Sequence, residues 1–137
     1  MSPGSMQIPP NCDLTLGMVC LDKSEPGRTL WQMVADERFS NPAGMMQGGL
    51  LGAFADSAMG ASAVTFAREG GSRKVFCANA EMKTSFFRPV HIGSTLTCEA
   101  VVVGGGDRVL YCEATITDGS ERPVGRATST YVISPRK

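Results

Sequence analysis

The chain has 137 residues, 42% hydrophobic and 19% charged, so it can bury a core and lacks the composition of a disordered segment. Thirteen basic residues balance thirteen acidic ones without a block of either sign, which argues against a nucleic-acid or anionic-membrane binder. The length suits one domain, expected over residues 14–137 after a flexible N-terminal segment at 1–13.

That opening stretch, "MSPGSMQIPPNC", has neither the basic n-region nor the apolar h-region of a signal peptide. The five cysteines, Cys12, Cys20, Cys77, Cys98 and Cys112, are widely spaced with no C-x-x-C pair, so reduced thiols in a cytoplasmic protein are expected rather than a disulfide framework or a zinc site. Next come "LTLGMVCLD" and "RTLWQMVADERF", which read as two β segments joined by "KSEPG", where Pro26 and Gly27 supply turn chemistry. Residues 41–67, "NPAGMMQGGLLGAFADSAMGASAVTFA", carry one ionisable side chain, Asp56. Their length and alanine content predict one long helix starting near Gln47 or Gly48 and ending before "EGGS", where Gly70 and Gly71 stop it.

Four segments with period-two alternation follow. Ala78, Ala80, Met82, Thr84 and Phe86 share one phase; Leu96, Cys98, Ala100 and Val102 share the next. Leu110, Cys112, Ala114 and Ile116 form the third, and Ala127, Ser129, Tyr131 and Ile133 the last. Their connections, "RPVHIGS", "GGGDR" and "DGSERP", are short enough for antiparallel pairing, and the glycine run at Gly104 reads as a hairpin rather than a nucleotide loop. The order is ββαββββ, an α+β domain with one antiparallel sheet curled around one helix.

The helix has no charged stripe, so the sheet is expected to cover it nearly all round. It is too rich in Gly, Ala and Ser for a membrane span, and a central acid would cost roughly 2.5–3.5 kcal/mol on insertion scales. At helical spacing Gly49, Gly52, Ala53, Asp56, Gly60 and Ala63 form a strip of small residues around the acid. Two readings of Asp56 stay open at this level: a hydrogen-bonded or ion-paired strut of the fold, or a reactive carboxylate. The glycine-rich helix start at Gly48 and Gly49 offers unpaired N–H groups and the positive end of a dipole to a carbonyl oxygen, and Asp56 lies about two turns further on as nucleophile or general base. Together they suggest acyl chemistry.

Asn41, Gln47, Gly48, Gly49 and Asp56, followed by "NAEMKTSFFRPVHIGSTL", form an Asn-x5-(His/Gln)-Gly-Gly-x6-Asp pattern with a later "RPV-x-x-G". From Leu14 to Ile133 the chain resembles the hotdog-fold acyl-CoA thioesterases of the phenylacetic-acid-degradation type. The resemblance implies a sheet wrapped around a central helix, protomers joined edge to edge in a homodimer, and pairing of dimers into a homotetramer. It implies that Gly48 gives its N–H to the thioester carbonyl, that Asn41 supports that end through its amide, and that Asp56 of the other protomer activates water or attacks the carbonyl. Asn79 stands where relatives carry a Ser or Thr that positions the water. Gln47 stands where many place His, and an amide cannot transfer a proton. The substrate implied is an acyl-CoA, with no metal and no cofactor beyond the coenzyme A that the substrate carries.

Arg73, Lys74, Arg88 and Arg108 are the cations available for its phosphates, and Phe54, Met59, Phe86 and Phe87 are candidate pocket lining. The alternatives are a hotdog dehydratase or hydratase, which relies on a catalytic histidine, and a non-catalytic acyl-CoA-binding protein. The only histidine, His91, falls in the "RPVHIGS" connection and is expected at the surface.

Overall fold

The structure, a computed structural model, describes residues 7–68, 75–120 and 122–135. Its elements are α1 (Asn11–Leu16), β1 (Val19–Asp22), β2 (Arg28–Val34), a 3-10 turn (Glu37–Phe39), α2 (Gly48–Ala67), β3 (Val75–Phe86), β4 (Thr95–Gly105), β5 (Val109–Thr117) and β6 (Pro123–Pro135). The strands form one antiparallel sheet in the order β1-β2-β4-β5-β6-β3, and α2 packs on β2 through β6. The expected order and α+β class hold, with α1 added in front.

The additions and shifts have local causes. Pro10 opens α1, and Gly17, at φ 74°, closes it by donating its N–H to the carbonyls of Asp13 and Leu14, so Leu14–Leu16 are helical and only Val19–Asp22 of the first expected strand pairs. Residues 11–13 of the segment expected to be flexible are therefore the first turn of α1, with Asp13 buried; residues 1–6 lie outside the described residues. The second segment stops at Val34 because Asp36 accepts the Arg38 amide at 2.8 Å and starts the 3-10 turn. Gly70 and Gly71, expected to stop α2, lie outside the described residues.

The inward phases of β4, β5 and β6 are those read from the sequence: Leu96, Cys98, Ala100, Leu110, Cys112, Ala114, Ile116, Ala127, Ser129 and Tyr131 are buried. In β3 the expectation fails for Ala78 and Ala80, which are exposed. A bulge between Asn79 and Glu81 leaves Ala80 without a partner on β6, so Cys77 and Asn79 face α2 before it and Met82, Thr84 and Phe86 after it. Cover of α2 is also less complete than expected. Leu51, Phe54, Ala55, Ala58, Met59 and Ala63 are buried, whereas Leu50, Ala53, Asp56, Ser57, Gly60, Ala61 and Val64 are only partly so. Among the described residues α2 is the one helix long and apolar enough to cross a bilayer by length and composition, and it is the core helix here.

A buried polar clamp fixes α2 on the sheet. Ser62 Oγ donates to the Ala100 carbonyl of β4 at 2.8 Å, and Thr29 Oγ1 of β2 lies 2.8 Å from Ser62 Oγ and 3.0 Å from the Ala58 carbonyl. Both side chains are fully buried, so removing one hydroxyl strands its partners. Ser62→Ala is expected to lower unfolding free energy by about 1–2 kcal/mol in urea denaturation with the transition slope unchanged.

Candidate active site

A strip of small residues on α2 decides what can approach it. Gly48, Gly52, Asp56 and Gly60 recur every fourth residue and so share one face. A Cβ at Gly48 would stand 3.1 Å from the Phe86 ring, one at Gly52 would stand 3.5 Å from the Met82 methyl, and one at Gly60 would stand 3.7 Å from the Tyr131 ring. The side chains of β3 and β6 therefore lie almost on the helix backbone. Gly49, placed on this strip by sequence spacing, is exposed with no atom near its Cβ position; Gly48 takes its place.

Asp56 is half-buried at the centre of the strip. Its Oδ1 accepts the Tyr131 hydroxyl at 2.6 Å and the Asn79 Nδ2 at 2.8 Å. The 2.6 Å separation falls in the range of a charge-assisted O–H···O⁻ bond, which directs the single phenolic proton to the carboxylate rather than to the Asp56 carbonyl at 2.9 Å. Asn79 is oriented in turn by Ser129, whose Oγ lies 2.8 Å from Asn79 Oδ1 and 2.8 Å from the Glu81 carbonyl. Among the described residues no donor reaches Asp56 Oδ2 and no Arg or Lys pairs with the carboxylate. Burial, followed by the hydrogen bond to Asp56, pushes the Tyr131 phenol far above the ordinary tyrosine range, so it is a proton donor throughout the working range of pH.

The other expected residues gather at the opposite end of the strip. The first amides of α2 have no preceding helical carbonyl, and those of Gly48 and Gly49 find no backbone acceptor among the described residues. A groove of about 400 Å³ opens beside Gly48, lined by Asn41, Met45, Leu51, Phe86, Phe87 and Val90 among others. Asn41 borders it, but its Oδ1 is occupied by the amides of Ala43 and Met45 at 2.9 and 3.1 Å, so its carboxamide shapes the loop entering α2. Gln47 holds the N-cap position without a side-chain cap; its side chain is exposed and outside the groove lining. His91 is exposed, as expected, in a turn bridged to Met45 through the backbone. Phe86 and Phe87 line the groove, whereas Phe54 and Met59 are fully buried core.

Of the cations expected for phosphates, Arg73 and Lys74 lie outside the described residues. Arg88 is committed to Asp118 at 3.1 Å and to the carbonyls of Arg122 and Pro123; Ser120 and Arg88 together hold Asp118 down at about 2. Arg108 is exposed. Lys83 and Arg126, not singled out from the sequence, border a second groove of about 220 Å³ on β3 and β6. Cys77, Cys98 and Cys112 are buried thiols, with burial pushing Cys98 and Cys112 up to about 12. No three of His, Cys, Asp and Glu among the described residues come together as a metal cluster would require.

Sequence reasoning missed Tyr131 and Ser129 as site residues. The available signal was two hydroxyls in the inward phase of β6, where an apolar core asks for none.

A family model described as Thioesterase superfamily matches residues 43–124, from the loop before α2 to the start of β6. The fold is similar to that of the PaaI protein from the phenylacetic acid degradation operon of E. coli, at 20% identity over 88% of this chain and 82% of that chain, with a TM-score of 0.80. It is similar to a phenylacetic acid degradation-related protein from Ralstonia eutropha, at 29% identity over 90% and 89% of the two chains, with a TM-score of 0.78. It is also similar to the smu.793 protein of Streptococcus mutans bound to acetyl CoA, at 16% identity over 88% and 90%, with a TM-score of 0.78. No curated protein matches the chain.

The Tyr131 environment gives a pH signature. A phenol whose folded-state pKa is raised keeps its stabilising contribution below the unfolded value of about 10 and loses it as pH rises beyond that, because the unfolded chain sheds the proton first. Unfolding free energy is expected to fall above pH ~10 by up to about 1.4 kcal/mol per pH unit more steeply than in Tyr131→Phe, measured by urea denaturation of both proteins.

Proposed function

Because the chain belongs to the thioesterase superfamily, and is thus a thioester hydrolase of hotdog fold, we propose that it hydrolyses an acyl-CoA to a carboxylic acid and free coenzyme A with Asp56 as the reactive carboxylate. The single observation that carries this reading is the state of that carboxylate: Oδ1 is held by two neutral donors and Oδ2 is left without one among the described residues. A structural ion pair would occupy it with a cation instead.

The reaction needs a carbonyl polarised at one end and attacked at the other. The Gly48 N–H at the head of α2 supplies the positive partial charge for the oxygen, where negative charge grows as the tetrahedral intermediate forms. Asp56 Oδ2 takes a proton from a water whose oxygen adds to the acyl carbon, or adds to that carbon itself and is freed by water in a second step. On the first route collapse breaks the carbon–sulfur bond and the thiolate takes the proton back from Asp56; on the second the thiolate leaves as the acyl–Asp56 anhydride forms, and the water that cleaves the anhydride supplies the thiolate's proton. Gln47 cannot carry that proton and exposed His91 lies off the helix, so proton transfer falls to Asp56.

Asp56 and Gly48 of one chain are eight residues apart on one helix, about 12 Å along its axis. A donor about 3 Å from a carbonyl oxygen, a C=O bond of about 1.2 Å and an attacking atom about 3 Å beyond span only about 7 Å. One chain therefore supplies half of each site. We propose that the missing half comes from a second copy joined through β3. That strand is a sheet edge, and antiparallel pairing of two copies would lay their α2 helices head to tail, bringing Gly48 of each toward the carboxylate of the other. The partly buried side of α2 at Leu50, Ala53, Ser57, Ala61 and Val64 carries no charge and supports the same arrangement and, with it, pairing of dimers into a tetramer. The apolar groove beside Gly48 suits the arm of the thioester that leads away from the carbonyl.

Thiol release from short, medium, branched and aryl-acetyl CoA esters tests the activity. Asp56→Asn is expected to fold like the parent and lose turnover by about a hundredfold or more; equal rates in the two proteins would remove Asp56 from the chemistry. Light scattering is expected to give a dimer or tetramer, and a fully active monomer would contradict the shared site.

A further inference from the structure

We propose that Tyr131 is a positioning residue for the hydrolysis: with Asn79 it pins Oδ1 of Asp56 so that Oδ2 alone meets the water or the acyl carbon. The inference rests on the reading of Asp56 given above and goes beyond it in assigning the two carboxylate oxygens different tasks.

The geometry is specific to this purpose. Tyr131 and Asn79 are directly paired residues of neighbouring strands, so the ladder between β6 and β3 fixes the spacing of their side chains. Both reach the same oxygen, from different strands, at 2.6 and 2.8 Å. The Tyr131 ring is 2% exposed and packs over Gly60, where the absence of a Cβ lets it lie close to the helix, so it has no room to swing aside. A carboxylate only accepts hydrogen bonds, which obliges Asn79 to turn its NH₂ toward Asp56 and its oxygen toward Ser129. Ser129 sits two residues before Tyr131 on the same inward face of β6, so one strand supplies both the donor and the group that orients its companion.

The choice of neutral donors has a chemical consequence. An arginine at the same place would engage both oxygens in a forked pair and quench the carboxylate. A phenol and an amide hold one oxygen, restrict rotation about the carboxyl bond and leave the second oxygen without a donor among the described residues. Positioning of this kind acts on the chemical step, because the phenol touches the carboxylate and is not among the residues lining the groove beside Gly48.

The test is steady-state kinetics of Tyr131→Phe, Ser129→Ala and Asp56→Asn beside the parent, with rates expressed per folded chain from near-ultraviolet circular dichroism. Tyr131→Phe is expected to lose kcat by roughly 10- to 100-fold with KM within about twofold of the parent, and Ser129→Ala to lose roughly 3- to 10-fold in kcat with the same unchanged KM. A purely structural hydroxyl would lower the folded fraction and leave kcat per folded chain at the parental value. That result in Tyr131→Phe, with Asp56→Asn inactive, overturns the positioning role while leaving Asp56 as the reactive group. Parental turnover in Asp56→Asn overturns both. If Tyr131→Phe does not fold, Ser129→Ala decides: parental kcat per folded chain there overturns the proposal.

Discussion

A carboxylate set among glycines and alanines on an otherwise uncharged helix must be held by something, and among the described residues no cation does it. Two neutral donors share one of its oxygens, the Tyr131 hydroxyl and the Asn79 amide, and most of the local architecture exists to deliver them. Gly52 and Gly60 flank Asp56 by one turn on each side, letting β3 and β6 come close enough for the bonds to form. The buried Ser62–Thr29 clamp ties the same helix to the opposite part of the sheet through β2 and β4. With the helix fixed on one side by that clamp and approached on the other by two strands, the carboxylate has a defined direction. The loss of any one of these features would be felt at the oxygen that is left uncovered.

The bulge at Ala80 is the least conspicuous part of this arrangement and the most consequential. In an uninterrupted strand, residue 79 would face away from residues 82, 84 and 86. The extra residue reverses the phase once, so Asn79 joins Met82, Thr84 and Phe86 over the helix. An amide donor is thereby delivered over the helix at the single place where the helix offers a charge. Glycine at position 48 plays the corresponding role at the other end, where it admits the Phe86 ring against the first turn and leaves the head of the helix bordering a groove.

These particulars explain what was legible beforehand. Long-range order was readable because period-two alternation in β4, β5 and β6 and the uncharged run of α2 are strong, repeated signals. Asp56 stood out for the same reason, as one acid in an apolar stretch. The alternation through Ala78 and Ala80 misleads because a bulge is one residue long and leaves no mark on composition. Leu14–Leu16 alternate well enough for a strand, yet Pro10 and Gly17 enclose them in a helical turn. The alternation of β6 puts Tyr131 and Ser129 on the inward face but does not disclose their task, since a hydroxyl in an inward phase names its partner only when the register to β3 is known. The side chains of Asn41 and Gln47 sit at the expected end of the molecule, and the structure gives the first a loop-forming duty and the second an exposed position that sequence spacing does not distinguish.

The twelve-residue edge of β3 carries a consequence for how the protein behaves when dilute. Half of the hydrogen-bonding groups along such a border face outward, and bare borders of this length recruit other strands indiscriminately. In the pairing proposed through β3, separation of the two copies uncovers that border and divides the shared site in one event. Specific activity in that pairing declines on dilution as the copies separate, which ties turnover to the concentration of the chain itself.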